Sequence, residues 1–381
     1  MSYASAVWLA VQEDLYNAGR NDVPRCYLEN FDDRFLFQNF HFTRQSLQFI
    51  TDLIKAALNN RASDRLNNTP MSDVAVLATL CFYAHGTLPR RITDMLGLSK
   101  VTAREAVNTV TKLLAGMTDK FITFPGSFND RMGVASVIRS FSGIPNVVGV
   151  LGYLHVKVTP PQEDESLYLN SLDDHSVMTQ VICDGEGNLL SVEQCCPGGT
   201  PEQQVWETSN ISLQFNSFQH GQTWVVGGKG LYMSKHVLTA LCDAELKTKA
   251  ARRFNAAHSR ALGCVLRTLG ALKTRFRCLE HLGPVQTGAL NHACQIVRAC
   301  CVLHNVAKKF SVPLPGQPMP EPLLPAASPR GRSEGHELSE GEKIREDMIA
   351  MCFSHPSDRL DEGNGIRETE NGEGRCSQSA L

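Results

Sequence analysis

Between Asn146 and Val158 the chain places Val147, Val148, Val150, Leu151, Leu154, Val156 and Val158 in close succession. β-Branched and apolar residues at this density predict a buried strand. The residues that follow fit. Val177–Cys183 and Leu189–Cys195 read as two strands joined across Asp184-Gly185-Glu186-Gly187-Asn188, a hairpin signal. A helical piece near Glu202–Phe215, a short strand Thr223–Val226 and two longer helices, about 257–275 and 286–309, complete the pattern. Strands followed by helices in this order predict an α/β (α+β) architecture, a mixed sheet flanked by helices.

The chain before Asn146 has a different period. Phe35, Phe37, Phe40 and Phe42, then Leu47, Ile50, Leu53, Ile54 and Leu58, recur at helical spacing. Ser72 is read as the cap of a helix that runs to Gly86, a short segment Ile92–Leu96 ends at Gly97, and Ser99 caps a third helix, Val101–Leu114, closed by Gly116. Helix, tight turn and Ser-capped helix are the spacing of a helix-turn-helix, which would present Lys100, Thr102, Arg104 and Asn108 outward. A small helical bundle that never touches DNA fits the same spacing.

From Ser311 the core pattern stops. Seven prolines fall between Pro313 and Pro329, and residues 312–381 hold 7 Lys/Arg against 13 Asp/Glu. This composition predicts a Pro-rich linker and a disordered acidic tail with one short helix, Glu340–Phe353. Three regions result: residues 1–118, helical; 119–310, sheet and helices; and 311–381, linker and tail.

The formal net charge of −2 hides a division. Leu246 to Cys278 contains Lys247, Lys249, Arg252, Arg253, Arg260, Arg267, Lys273, Arg275 and Arg277 and no acid. Such a run is either a nucleic-acid surface or a solvated helix face matched by acids elsewhere. No stretch approaches the ~18 consecutive apolar residues of a membrane span, and the N-terminus lacks the cationic-then-apolar pattern of a secretory signal. The 13 cysteines never fall at C-x-x-C spacing, which speaks against a structural zinc site and for a reducing compartment. Gly227-Gly228-Lys229-Gly230 has no Ser or Thr after its lysine and is not a phosphate loop.

Five motifs in order carry a resemblance: the strand ending in His155-Val156, Phe254-Asn255-x-x-His258-Ser259, Leu272-Lys273-x-Arg275-Phe276, Cys301-Val302-Leu303-His304-Asn305, and the helical unit that precedes them. Together they resemble the Harbinger transposase-derived nucleases of the DDE superfamily, from about Asp33 to Phe310 and again near 344–353. The resemblance implies a ribonuclease-H-like sheet behind an N-terminal helix-turn-helix. It also implies three carboxylates (Asp, Asp and Glu) that hold two magnesium ions. Such ions activate a water and stabilise the leaving oxygen, and each demands oxygen ligands.

Carried over position by position, those ligands are missing. The first Asp falls on Gly152, the second on Gly228 and the Glu on Leu266. Leu262, Val265, Leu266, Leu269, Leu272 and Phe276 are read as one apolar stripe, with Leu266 in a dry core. The expectation is a pseudo-nuclease with no cofactor. The alternative is an active endonuclease that binds Mg2+ or another divalent cation through relocated ligands, drawn from Asp173, Asp174, Asp184, Glu193 and Glu202. His155, His258 and His304 are expected to be hydrogen-bonded structural residues, and Lys157 or Lys229 could place an ammonium where a metal would have been. The resemblance further implies a Myb/SANT-like protein partner and a place in the nucleus, with the cytoplasm as a possible second location. DNA contacts would run through Lys100, Arg104, Lys247, Lys249, Arg252, Arg253 and Arg260. A protein-only scaffold, its basic stretch paired with the acidic tail, remains a further alternative.

Overall fold

The structure, a computed structural model, describes residues 27–59, 69–217, 221–228, 231–284, 290–319 and 339–354. The expectations for Lys229, for the start of the helix placed at 286, and for most of the Pro-rich and acidic tail lie outside these residues.

Asp32 opens the first helix, α1 (Asp33–Phe40), by accepting from Phe35 N at 2.6 Å, and His41 closes it in the left-handed region at φ 58°. Four helices follow: α2 (Arg44–Asn59), α3 (Thr69–His85), the short α4 (Arg90–Met95) and α5 (Lys100–Ala115). Ser99 caps α5 as expected, accepting from Thr102 N. Ser72 does not cap α3. That helix already runs from Thr69, and Ser72 lies buried inside it with its hydroxyl directed to Asp73. Because Val74 to Ala84 is buried on nearly every side, the apolar pattern of α3 carries no marker of where it starts.

After a single helical turn at Thr118–Phe121, the next long helix, α6 (Phe128–Ser142), has no counterpart in the sequence reading. Its ends are marked: Ser127 Oγ accepts from Asp130 N, and Gly143 closes it at φ 84°. Its interior is too polar for an apolar stripe to show.

The long run becomes β1 (Val147–Thr159), followed by β2 (Ser176–Cys183), β3 (Leu189–Val192) and the two-residue β4 (Cys196–Pro197). The expected single strand to Cys195 breaks because Cys195 N turns from the ladder to Cys294 Sγ at 3.4 Å. The helical piece splits into α7 (Glu202–Thr208) and α8 (Asn210–Asn216) at Ser209, which caps the second. β5 (Trp224–Val226), β6 (Val237–Leu238), α9 (Lys249–Arg275), β7 (His281–Pro284), α10 (Leu290–Lys309) and α11 (Glu340–Cys352) complete the chain.

The main sheet order is β3-β2-β1-β5-β6, with β4 on β2 and β7 on β1. β1 pairs antiparallel with β2 and parallel with β5 and β7, and β5 pairs parallel with β6. This is a mixed α/β sheet of ribonuclease-H-like order. Val150, Leu154 and Val156 of β1 share a core with Val265 and Leu269 of α9. On the opposite face Val148, Leu151 and Tyr153 pack with Trp206, Ile211 and Phe215 of α7 and α8. No helix among the described residues is long and apolar enough to cross a membrane.

The N-terminal helices join this layer through α5, which packs on α10, and again at the end of α9. Phe276 lies 6.3 Å from the Phe42 ring and 6.4 Å, edge on, from Tyr83. Arg275 donates to the carbonyls of His41, Val312 and Pro313. Truncating this junction by Phe276→Ala should therefore cost about 3–5 kcal/mol of stability, read as a lower urea midpoint. A loss below ~1 kcal/mol would show that the junction does not hold the two halves together.

Candidate functional site

The three positions onto which the resemblance places metal ligands lie on or beside three different elements. Gly152 stands at the middle of β1, paired with Val181 of β2. A Cβ added there would lie 2.7 Å from one methyl of Val265, 3.1 Å from the other and 3.5 Å from Leu269. The strand thus lies flush against α9, and a carboxylate at 152 has no space. Gly228 follows β5, and a Cβ there would meet nothing within 4 Å. The site is closed on its strand side and open at Gly228.

Leu266 is not in a dry core. It is half-buried, as is Leu262. The residues that α9 turns toward β1 are Ala261, Val265, Leu269 and Leu272, all at or near zero exposure. Each step along a helix rotates the side chain by about 100°, so a residue next to Val265 in sequence points well away from the sheet. Periodicity set the width of the stripe too generously.

Glycine has no side-chain oxygen and leucine none either, so these positions do not fit a pair of divalent cations. The other acids are dispersed. Asp184 accepts from Glu186 N, Asn188 N and the Asn188 amide, which builds the hairpin turn. Glu193 accepts from Asn210 and Ile211 at the start of α8, although burial pushes its carboxyl above the usual range. Asp174 pairs with Lys157 Nζ at 2.8 Å, which takes that lysine away from the emptied position. Glu202 sits where burial pushes its carboxyl up to about 7. Among the described residues no three His, Cys, Asp or Glu side chains come together in a way that could hold a metal ion.

The family-motif residues have a different role. His258 Nε2 meets Leu238 O at 3.2 Å, tying α9 to β6, and His304 Nε2 meets Gly187 O at 2.9 Å, tying α10 to the hairpin. His155 Nδ1 contacts Ser176 Oγ at 3.0 Å. Asn255 bonds both backbone groups of Leu241, and Asn305 bonds both of Leu189 as well as Phe121 O. The two asparagines were not singled out from sequence. Their signal was the amide itself, which carries donor and acceptor together and so can hold a strand's edge like another strand.

The basic residues divide. Lys100 and Arg104 lie exposed on one side of α5, beside Val101 at 69% exposure. Lys247, Lys249 and Arg252 are exposed around the start of α9. Two others are engaged with the fold. Arg253 donates to Phe353 O of the C-terminal segment, and Arg260 donates to Phe141 O and Ser142 O, capping α6. α11 docks beside the first of these: Arg345 pairs with Glu245 at 3.0 Å and the Phe353 ring meets Phe254 at 5.6 Å.

Burial lowers His258 and His304 from 6.5 to about 4. Between those values the unfolded chain binds protons that the folded protein does not. The stability the neutral rings contribute is thus present above about 6.5 and lost as pH falls toward 4. Glu202 works in the opposite sense, so the test is a difference. His304→Asn should flatten the acid limb of the stability curve by up to ~1.4 kcal/mol per pH unit, measured by urea unfolding between pH 7 and 5. An unchanged limb would refute a buried neutral His304. In the same assay at pH 7, Gly152→Asp should destabilise by at least about 1–3 kcal/mol through overpacking.

Comparison with known proteins agrees with this architecture. The family described as DDE superfamily endonuclease matches residues 152–305, the span from β1 to α10. The proteins named "Putative nuclease HARBI1" from Mus musculus, Bos taurus and Homo sapiens are 31%, 29% and 29% identical to this chain. In each case the match covers 89% of this chain and 96% of the relative. No solved structure matches. The chain belongs to the Harbinger transposase-derived nuclease family of the DDE superfamily.

Proposed function

We propose that this protein is a catalytically inactive member of its family. It acts by binding DNA, a Myb/SANT-like protein partner, or both, in the nucleus. The observation that carries the reading is Gly152. Val265 and Leu269 fill the space a strand carboxylate would need, while Gly228 and Leu266 offer no oxygen. A two-metal mechanism needs carboxylates converging from strand and helix, and relocating three of them together would take a rebuilt core.

The surface supports the binding half of the reading. Lys100 and Arg104 on α5 and Lys247, Lys249 and Arg252 around the start of α9 are exposed cations, and the 246–278 run contains no acid. Such contacts give salt-dependent, sequence-tolerant affinity for phosphates. Exposed Val101 between Lys100 and Arg104 adds an apolar contact suited to a protein partner or to a thymine methyl.

The purified protein should cut neither linear nor supercoiled DNA with Mg2+ or Mn2+, and Mn2+ should leave its melting temperature unchanged. Cleavage that survives repurification and disappears with chelator would overturn the reading. For the surface, Lys247→Glu with Arg252→Glu should weaken DNA binding at least ~10-fold at low salt and reduce the salt slope, measured by fluorescence anisotropy.

A further inference from the structure

We propose a second site, independent of the emptied metal positions: the cavity between the hairpin turn, α9, α10 and the strap at 312–318 binds a small molecule carrying a diphosphate or polyphosphate group. The cavity measures about 310 Å³, within the size range of small-ligand sites. Its polar lining includes Arg267, Thr268 and Arg275 of α9 and His304 and Lys308 of α10, with Glu186 on the hairpin side.

Charge decides the class of ligand. Three cations meet here, and among the described residues none of them forms an ion pair. Lys308 Nζ donates to the Glu186 carbonyl, not to its carboxylate. Arg275 is the unusual one, at 3% exposure. Its guanidinium is held by three backbone carbonyls and lies 5.4 Å from the Phe42 ring, and among the described residues its Nε has no acceptor. Carbonyl dipoles fix the plane of a buried guanidinium but supply no counter-charge, and an unbalanced buried charge is costly. A multiply charged anion would supply what the protein does not. Arg and Lys side by side are the usual donors to phosphate, one as a planar fork and the other as a point charge.

The remaining wall is apolar and built by the strap. Met319 N donates to Thr274 Oγ1, whose own hydrogen goes to Gly270 O at 2.8 Å, and Gly270 lets the Met319 carbonyl approach α9 closely. These contacts hold Val312, Leu314 and Pro318 in the lining, and the Val312 carbonyl itself accepts from Arg275. The ligand is thus two-ended, with phosphates on the exposed cations Arg267 and Lys308 and an apolar or aromatic body on the strap side chains, while Arg275 adds positive charge from the wall.

The test uses the full chain with inorganic pyrophosphate and with ADP, against sodium chloride at matched ionic strength. Millimolar pyrophosphate should raise the melting temperature by about 3 °C or more, and calorimetry should give one site per chain. Arg267→Gln with Lys308→Gln, two exposed positions, should remove the rise and weaken binding at least ~10-fold. Glu186→Gln, which removes the one acid of the lining, should tighten it. A larger rise with ADP would support recognition of a nucleoside body by the strap, and equal rises would support recognition of the phosphates alone. The proposal fails if sodium chloride gives the same rise, if the double variant binds as well as the parent, or if only duplex DNA raises the melting temperature. These outcomes are separate from nuclease activity, so the pocket and the inactive-enzyme reading stand or fall independently.

Discussion

The packing of β1 on α9 governs the molecule. Gly152 allows the strand to lie close enough for Val265 to occupy the space of a side chain, and Leu269 and Leu272 continue the contact along the helix. Each such buried aliphatic residue contributes about 1.5–3 kcal/mol by removal from water. The sheet, the helix and the attachment of the N-terminal unit all follow this seam. α9 ends in Arg275 and Phe276, and these two residues join α1, α3 and the strap to the sheet layer.

The same seam separates what a fold needs from what a reaction needs. The family motifs retained in this chain are the ones that tie helices to strands. Asn255 and His258 hold α9 to the β6 region, while Asn305 and His304 hold α10 to β3 and the hairpin. These bonds satisfy backbone groups at strand edges that would otherwise be buried without partners. None of them involves the positions where metal ligands would stand. These ties do not depend on a carboxylate at 152, 228 or 266, and a glycine at 152 lets the strand lie closer to the helix than a side chain there would permit.

Electrostatics shows a similar division. In sequence, the basic run from Leu246 to Cys278 is one block. In the fold, Arg260 closes the end of α6, Arg253 meets the C-terminal segment, Arg275 is interior, and Lys247, Lys249 and Arg252 remain on the surface. The block that is continuous in sequence is thus divided between backbone contacts inside the fold and exposed cations on its surface.

The sequence by itself determined the buried strand within a residue or so of its ends, the hairpin across Asp184–Asn188, the Ser99 cap and the class of fold. Each is a local property, an apolar density, a turn residue or a side chain that reaches three positions along. It also determined the missing oxygens at 152, 228 and 266, because residue type alone decides that. What only tertiary structure decided is facing and partnership. Leu266 turns away from the core that Val265 enters, α6 forms without an apolar stripe, and α9 begins eight residues before its apolar pattern does. Short β6 and β7 exist because β5 and β1 offer them edges. Period and composition are written along the chain, but which side of a helix is dry depends on what lies across from it, and that is set by residues far away in sequence.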